Sequence, residues 1–273
     1  MFTLSVFIAA ASMALPAKIL LILGIILLIL AVIVGIVAFL GAKNAKIMNQ
    51  TIDDALADIS KSHTVTEISC DEYEEITIYG VLKFHVKQYQ VENIGNLSVM
   101  KVNMGFMQMA TMVLNPDAKA LPMISVDYMY KFSNRTCYIE FYDFVPDKAD
   151  SAYQELLEQL SAVKASYSNL EDAVPTPAWY DTLKTVGIYK NGTKENDAEL
   201  TKMLTESLNV CLTRADLLPE LDEQDCLTKH TMTVDYTEGL ITKGGISTDV
   251  FKKALGEDTT RDFFRRVLFG TGE

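Results

Sequence analysis

The chain has 273 residues, 49% of them hydrophobic, and a formal net charge of -12. This acidic balance argues against nucleic acid as a partner, because phosphates are held by Lys and Arg and no basic run here is interleaved with base-stacking aromatics on a recognisable motif. The length fits a membrane segment followed by one globular domain of roughly 210 residues, enough for a single sizeable core.

No charged side chain occurs from Met1 to Ala17 or from Ile19 to Ala42. At about 1.5 Å per residue the second run makes roughly 36 Å of helix, which crosses a hydrocarbon core of about 30 Å with some tilt. Residues 1–44 are therefore expected to be a hydrophobic anchor with its span at 19–42. A cleaved signal peptide competes with this reading, but Met1 to Leu15 has no positive n-region and Pro16 and Lys18 interrupt the apolar run, which favours an uncleaved, single-pass anchor. Lys43 and Lys46 on one side, against Lys18 and the amino terminus on the other, place the domain in the cytoplasm by the positive-inside rule. The Asn-x-Ser/Thr triplets at Asn96, Asn134 and Asn191 are the opposing signal of a secreted domain.

Residues 45–62 read as a juxtamembrane helix or linker that spaces the domain from the bilayer, with Thr51 as N-cap and Ile52, Leu56 and Ile59 on one side. The globular domain is expected over 63–273. Ile76, Ile78, Leu82, Phe84 and Val86 share one parity, and Leu97, Val99, Val102 and Met104 continue the alternation. Turn chemistry at 93–96 and at Asn115-Pro116-Asp117 separates these runs, giving an antiparallel meander. Met100, Met104, Met107, Met109, Met112 and Met123 follow strand spacing, either as core filling or as the plastic wall of a hydrophobic pocket. The acidic runs 71–75 and 217–225 lack the ligand alternation and central glycine of a calcium loop and read as solvated.

The stretch 121–145 reads as two strands joined by a tight turn at Ser133, Asn134 and Arg135. Ile124, Val126, Tyr128 and Tyr130 share one face of the first strand, and Met123, Ser125, Asp127 and Met129 the other. In the second, Tyr138, Glu140 and Tyr142 oppose Cys137, Ile139, Phe141 and Asp143. Two carboxylates, Asp127 and Glu140, thus sit in apolar strands. A carboxylate there is paired, exposed on a cleft wall, or tuned for proton transfer; proton transfer is the expectation for Asp127, and Glu140 is the candidate second relay.

The period then becomes helical. Ser151 with Gln154 makes a capping box before Tyr153, Leu156, Leu157, Leu160 and Val163. Pro175, Pro177 and Trp179 lie in a loop before a short segment at 185–189. Asn196 with Glu199 starts a helix that buries Leu200, Met203, Leu204, Leu208 and Cys211, and a strand is expected over Thr231 to Tyr236. Two helical stretches separated by a Gly256 C-cap end the chain. Strands in one block with helices before and after define an α+β class, helices covering an antiparallel sheet. Cys70, Cys137, Cys211 and Cys226 read as free thiols of a reducing compartment, with disulfides left open. They form no zinc-type grouping with His63, His85 or His230. No Gly-x-Ser-x-Gly elbow is present.

Three segments together carry a family resemblance: Asn115-Pro116-Asp117 through Leu121-Pro122 to Asp127, the Pro177-Ala178-Trp179 loop, and the ending FKKALGEDTTRDFFRRVLFG. They resemble the ferredoxin-dependent bilin reductases and the related red chlorophyll catabolite reductases over roughly residues 75–270, thinly between the motifs. The resemblance implies an α/β/α sandwich that binds a linear tetrapyrrole between sheet and C-terminal helices. It also implies no permanently bound cofactor, with single electrons arriving from reduced ferredoxin. Asp127 matches the family's proton-donating aspartate. Met109, Met123, Ser125 and Met129 would contact the pigment, and Lys252, Lys253, Arg261, Arg265 and Arg266 would dock an acidic ferredoxin, sit near anionic lipid, or simply be a solvated face. The chain departs from the pattern in two places. A histidine common on the preceding strand is absent at 109–111, and an acid common before the C-terminal helices is absent at Gly244 and Gly245. The competing expectation is accordingly a membrane-anchored tetrapyrrole-binding or scaffold protein with the same fold and no reaction.

Overall fold

The computed structural model describes residues 15–245 and 247–272, so residues 1–14 of the expected anchor lie outside the described residues. Helix α1 (Leu15–Ile59) runs for 45 residues without a break. Pro16 sits in its first turn, where the missing N–H leaves no intrahelical bond unmade. Through Leu40 the helix shows large apolar side chains to the outside. Among the described residues it is the one helix long and apolar enough to cross a membrane, as a span or a signal anchor.

From Gly41 onward the helix belongs to the globular body. Gly41, Asn44, Met48, Thr51, Ile52, Ala55 and Ile59 form a buried stripe at the spacing of one helical face, and Met48, Ile52, Ala55 and Ile59 are part of the main core. The segment expected as a spacer thus continues the apolar helix and packs on the sheet. Thr51, expected as an N-cap, is a buried mid-helix residue with its hydroxyl 2.8 Å from that of Thr201.

Among the described residues, nine strands form one antiparallel sheet: β1 (Val65–Ile68), β2 (Glu75–Ile78), β3 (Leu82–Val91), β4 (Gly95–Asn103), β5 (Met107–Pro116), β6 (Met123–Lys131), β7 (Asn134–Tyr142), β8 (Glu171–Asp172) and β9 (Lys184–Thr193). Their order is β1-β3-β4-β5-β6-β7-β9-β8, with β2 also paired to β3. The expected meander is β3 to β7. Lys131 pairs with Asn134, so the β6–β7 turn is Phe132-Ser133, earlier than the turn expected at Ser133, Asn134 and Arg135. The short segment expected at 185–189 is the middle of β9.

Alternation sorts the two faces as the sequence suggested. Ile124, Val126, Tyr128, Tyr130, Cys137, Ile139 and Phe141 enter the core shared with α1, α2 (Ser151–Ser166) and α3 (Asp197–Arg214). The other face is covered by α4 (Glu223–Lys243), α5 (Thr248–Leu255), α6 (Glu257–Phe263) and a π-turn at Phe264–Leu268. The result is an α/β/α sandwich of the α+β class.

Helix α2 is capped by Asp150, whose carboxylate accepts from the Ala152 and Tyr153 amides, not by the expected Ser151 box. Before α3, Thr193 and Asn196 cap each other reciprocally. The strand expected at Thr231 to Tyr236 is part of α4. β-Branched Thr231, Thr233 and Val234 mimic strand composition, but the buried residues Lys229, Thr233, Tyr236, Thr237 and Leu240 follow helical spacing. The hydroxyls of Thr231, Thr233 and Thr237 turn back on the carbonyls of Leu227, Lys229 and Thr233, which lets threonine sit in a helix. Gly256, at φ 85°, caps α5 as expected.

The C-terminal tail is pinned by polar side chains of the sheet. Gln88, Asn96, Ser98 and Asn115 donate to the carbonyls of Arg266, Val267, Leu268 and Phe269 at 2.9, 3.3, 2.7 and 2.7 Å. A π-turn leaves its carbonyls without ordinary helical partners, and these four donors satisfy them in succession.

Candidate active site

A cleft of about 150 Å³ lies between β5–β7 and the layer made by α4, α5 and the tail. Asp127, in the middle of β6, faces it between Thr111 of β5 and Tyr138 of β7. Thr111 Oγ1 donates to Asp127 Oδ1 at 2.6 Å. Asp127 is half-buried by area, but what it exposes faces the cleft and not bulk water. Burial pushes its carboxyl up to about 6, with the Thr111 bond acting the other way, Glu140 raising it and Lys184 lowering it. Such an acid exchanges its proton near neutrality.

Glu140 is beside it and differently placed. Lys184 Nζ, at the start of β9, lies 2.7 Å from Glu140 Oε1, and Tyr142 donates to Oε2 at 2.8 Å. Tyr236 of α4 donates to the Tyr142 hydroxyl at 3.1 Å. Burial alone pulls the Lys184 pKa down, but bonds to Asp181 and Glu140 outweigh it and leave the pKa raised. Both Glu140 oxygens are acceptors here, so Glu140 is the counter-ion of a held cation.

Met109, Ser125 and Met129 line the cleft, as does Met100. Met123 does not: it is fully buried in the core beneath α4–α6, because it lies at the start of β6, opposite Tyr142. Met112 faces the opposite core, so the methionines divide between core filling and pocket wall. Thr111 stands at a position where the resemblance would place a histidine, and Gly245, where it would place an acid, lines the cleft too. Both departures therefore lie in the cleft itself.

The remaining wall is aromatic and was not found from sequence. Tyr180 and Tyr236 line the cleft and meet edge to face at 5.7 Å, and Trp179 backs them, 6.0 Å from Tyr236. Trp179 Nε1 donates to the Gly244 carbonyl at 2.9 Å. Its indole covers Gly239, where a Cβ would come within 2.2 Å of the ring. The Pro-Ala-Trp loop was the signal for this wall; Tyr236 was hidden by its assignment to a strand.

The C-terminal cations do not form a free positive patch. Arg261 pairs with Glu238, Glu257 and Asp258, Arg265 with Glu238, and Arg266 with Asp71, Glu72 and Asp262. Lys252 lies 3.6 Å from Glu257, and Lys253 is exposed. The four cysteines are free thiols, with burial pushing Cys70 up to about 11 and Cys137 up to about 12. Asn96 of the first glycosylation triplet is buried.

This architecture, an antiparallel sheet between helical layers with a cleft on its C-terminal side, is the bilin-reductase fold. Selenomethionine phytochromobilin synthase from tomato, crystallised in complex with biliverdin, matches it with a TM-score of 0.68 and 14% sequence identity, over 82% of this chain and 83% of that one. The likeness is one of fold. No protein-family model matches the chain, and no curated protein matches its sequence.

Proposed function

We propose that the chain is a membrane-anchored oxidoreductase that takes a linear tetrapyrrole into the cleft and reduces it by single electrons from ferredoxin, with Asp127 giving protons. The observation that carries this reading is Asp127 itself: a carboxyl on the cleft wall, bonded by a neutral hydroxyl and pushed up to about 6 by burial, in a fold shared with an enzyme crystallised with biliverdin. Reducing one double bond takes two electrons and two protons, so Asp127 is recharged between deliveries. Glu140, held by Lys184, sets the charge beside Asp127 in this reading and is not the donor. Met109, Ser125 and Met129 form a soft floor for a flat conjugated ligand. The protein's part is to hold the pigment and supply protons, with no resident cofactor invoked.

Pockets for drug-sized ligands enclose roughly 300–1,000 Å³, more than this cleft does, so entry of a pigment displaces Pro175, Thr176 and Tyr180, or Gly245, Ser247 and Thr248, which border it. Ferredoxin would dock at the basic C-terminal helices through Lys253, drawing on Lys252, Arg261, Arg265 and Arg266 only if their acidic partners yield. Lys43 and Lys46, both exposed, favour a cytoplasmic domain. A second reading, binding without reaction, is favoured by Thr111 and Gly245 standing where the family has a histidine and an acid.

The full chain in detergent, titrated with biliverdin, tests binding and catalysis in turn. A red-shifted, sharpened absorption band supports binding, and bleaching or a new band after anaerobic addition of reduced ferredoxin supports catalysis. Binding with a spectrum that no electron donor changes selects the second reading; no binding removes the tetrapyrrole from both.

A further inference from the structure

The hairpin tips of one sheet end lie against α1 where its apolar run stops. Gly41 packs so closely on the β4–β5 tip that a Cβ there would lie 2.1 Å from the Gly105 carbonyl oxygen, and a Cβ at Gly105 would meet Val37 at 3.8 Å. Asn44 donates to the Phe132 carbonyl at 2.8 Å, and the Phe132 amide donates to the Phe106 carbonyl at 3.3 Å. The two tips are thus fixed to each other and to helix residues 37–44. Counting about 20 residues for a hydrocarbon core from Ile19 brings a span to its far boundary close to Val37. The tips therefore stand at the level where the helix leaves the bilayer.

The side chains at these tips are apolar and turned outward. Phe106 is 45% exposed, Phe132 47%, and Val81, in the β2–β3 turn at the same sheet end, 76%. Phe132 holds φ at 55°, a left-handed position that favours Gly or Asn and that a bulky residue occupies only under strain. Nothing in the fold needs an exposed phenylalanine there. Lys43, Lys46 and Lys131 are exposed in the same region, and apolar side chains such as Phe beside basic ones suit burial at the headgroup–acyl boundary.

We propose that Phe106 and Phe132, with Val81 beside them, insert into the interfacial layer of the bilayer that α1 spans, so that the body is seated on the membrane at several points instead of swinging from one helix. The proposal rests on α1 being a span and goes beyond the cleft's chemistry. Because α1 enters the core unbroken, the seat also fixes how the sheet and its cleft face the membrane.

Depth-dependent quenching tests it. The full chain is reconstituted in vesicles of phosphatidylcholine and phosphatidylglycerol, with and without lipid brominated near the headgroup or near the chain end. Phe106→Trp, Phe132→Trp, Leu30→Trp and a distant exposed control, Leu217→Trp, are read against the parent, whose Trp179 supplies the background. The expected result is blue-shifted emission at 106 and 132, quenched by headgroup-proximal bromine, with position 30 quenched by chain-end bromine and position 217 untouched. Quenching at 30 without quenching at 106 and 132 overturns the seat and leaves the anchor standing. No quenching at any of the three overturns the span and the seat with it.

Discussion

Lys184 and Glu140 hold each other at 2.7 Å with only 10% and 11% of their side chains exposed, and this pairing is what leaves Asp127 to a neutral partner. Had the ammonium reached Asp127 instead, the carboxyl would be pinned as an anion and useless as an acid near neutrality. The site separates two neighbouring carboxylates by environment: one has a cation, the other a threonine.

Asp127→Asn separates function from stability. The amide keeps an acceptor for Thr111, so under the proposed function pigment binding is expected to survive while product formation stalls; unchanged turnover would remove Asp127 from the proposed role. The stability sign is opposite. The folded pKa of about 6 lies above the ordinary 3.8, so between those values the native state binds more protons than the unfolded one, and wild-type stability falls as pH rises through the window. The variant escapes this fall. Urea midpoints are expected to favour Asp127→Asn increasingly from pH 4 to pH 7, with no further gain above it.

Breaking the Lys184–Glu140 pair tests the tuning. Lys184→Met strands a buried carboxylate and is expected to destabilise by about 3–5 kcal/mol, whereas the double variant with Glu140→Gln recovers part of that loss. Asp127 should respond in opposite directions: its titration rises in Lys184→Met, where Glu140 is uncompensated, and falls in Glu140→Gln. Infrared difference spectra of the protonated carboxyl follow both, and a titration that moves in neither variant would show that the pair does not act on Asp127.

The strands around Asp127 were legible in the sequence because one face of each is buried, and period-two alternation then fixes which side chains travel together. Which residues meet across strands was not legible. Lys184 reaches Glu140 from a strand 44 positions on, and Thr111 reaches Asp127 through a register that alternation leaves free. Tyr236 was lost because threonines that bond back to helix carbonyls imitate a strand. The spacer at 45–62 failed for a related reason: its apolar stripe marks a buried face, and periodicity does not say whether the covering surface is lipid or sheet.

Gly239→Ala is expected to displace Trp179 from behind the aromatic wall. The added methyl lies 2.2 Å from the Trp179 ring, so the indole must leave its place and give up its bond to Gly244. Overpacking of this kind costs about 1–3 kcal/mol, against which the helix gains up to about 1 kcal/mol from replacing glycine. Trp179 is the chain's single tryptophan, so its emission reports the change directly; a red shift with a lower thermal midpoint is expected, and an unchanged spectrum would show that the wall accommodates the methyl.

Lys229 ties the two ends of the Asp127 hairpin together. It is fully buried in α4, and its Nζ donates to the carbonyls of Leu121, just before β6, and Phe144, just after β7, at 2.6 and 2.9 Å. Burial pulls its pKa down to about 7, with Asp117 acting the other way, and a neutral amine still has the two N–H groups that two carbonyls require. Lys229→Met orphans both carbonyls and is expected to destabilise by about 1–3 kcal/mol for each that stays dry. The pH dependence gives the sharper check. Between the folded value of about 7 and the ordinary 10.5, the unfolded chain binds the extra proton, so the wild-type protein gains stability as pH rises through that window. The methionine variant lacks this gain. The difference in unfolding free energy between them should be flat below pH 7 and widen steadily toward pH 10; a difference that stays flat throughout would mean that Lys229 is charged in the folded protein and that the carbonyls hold an ammonium.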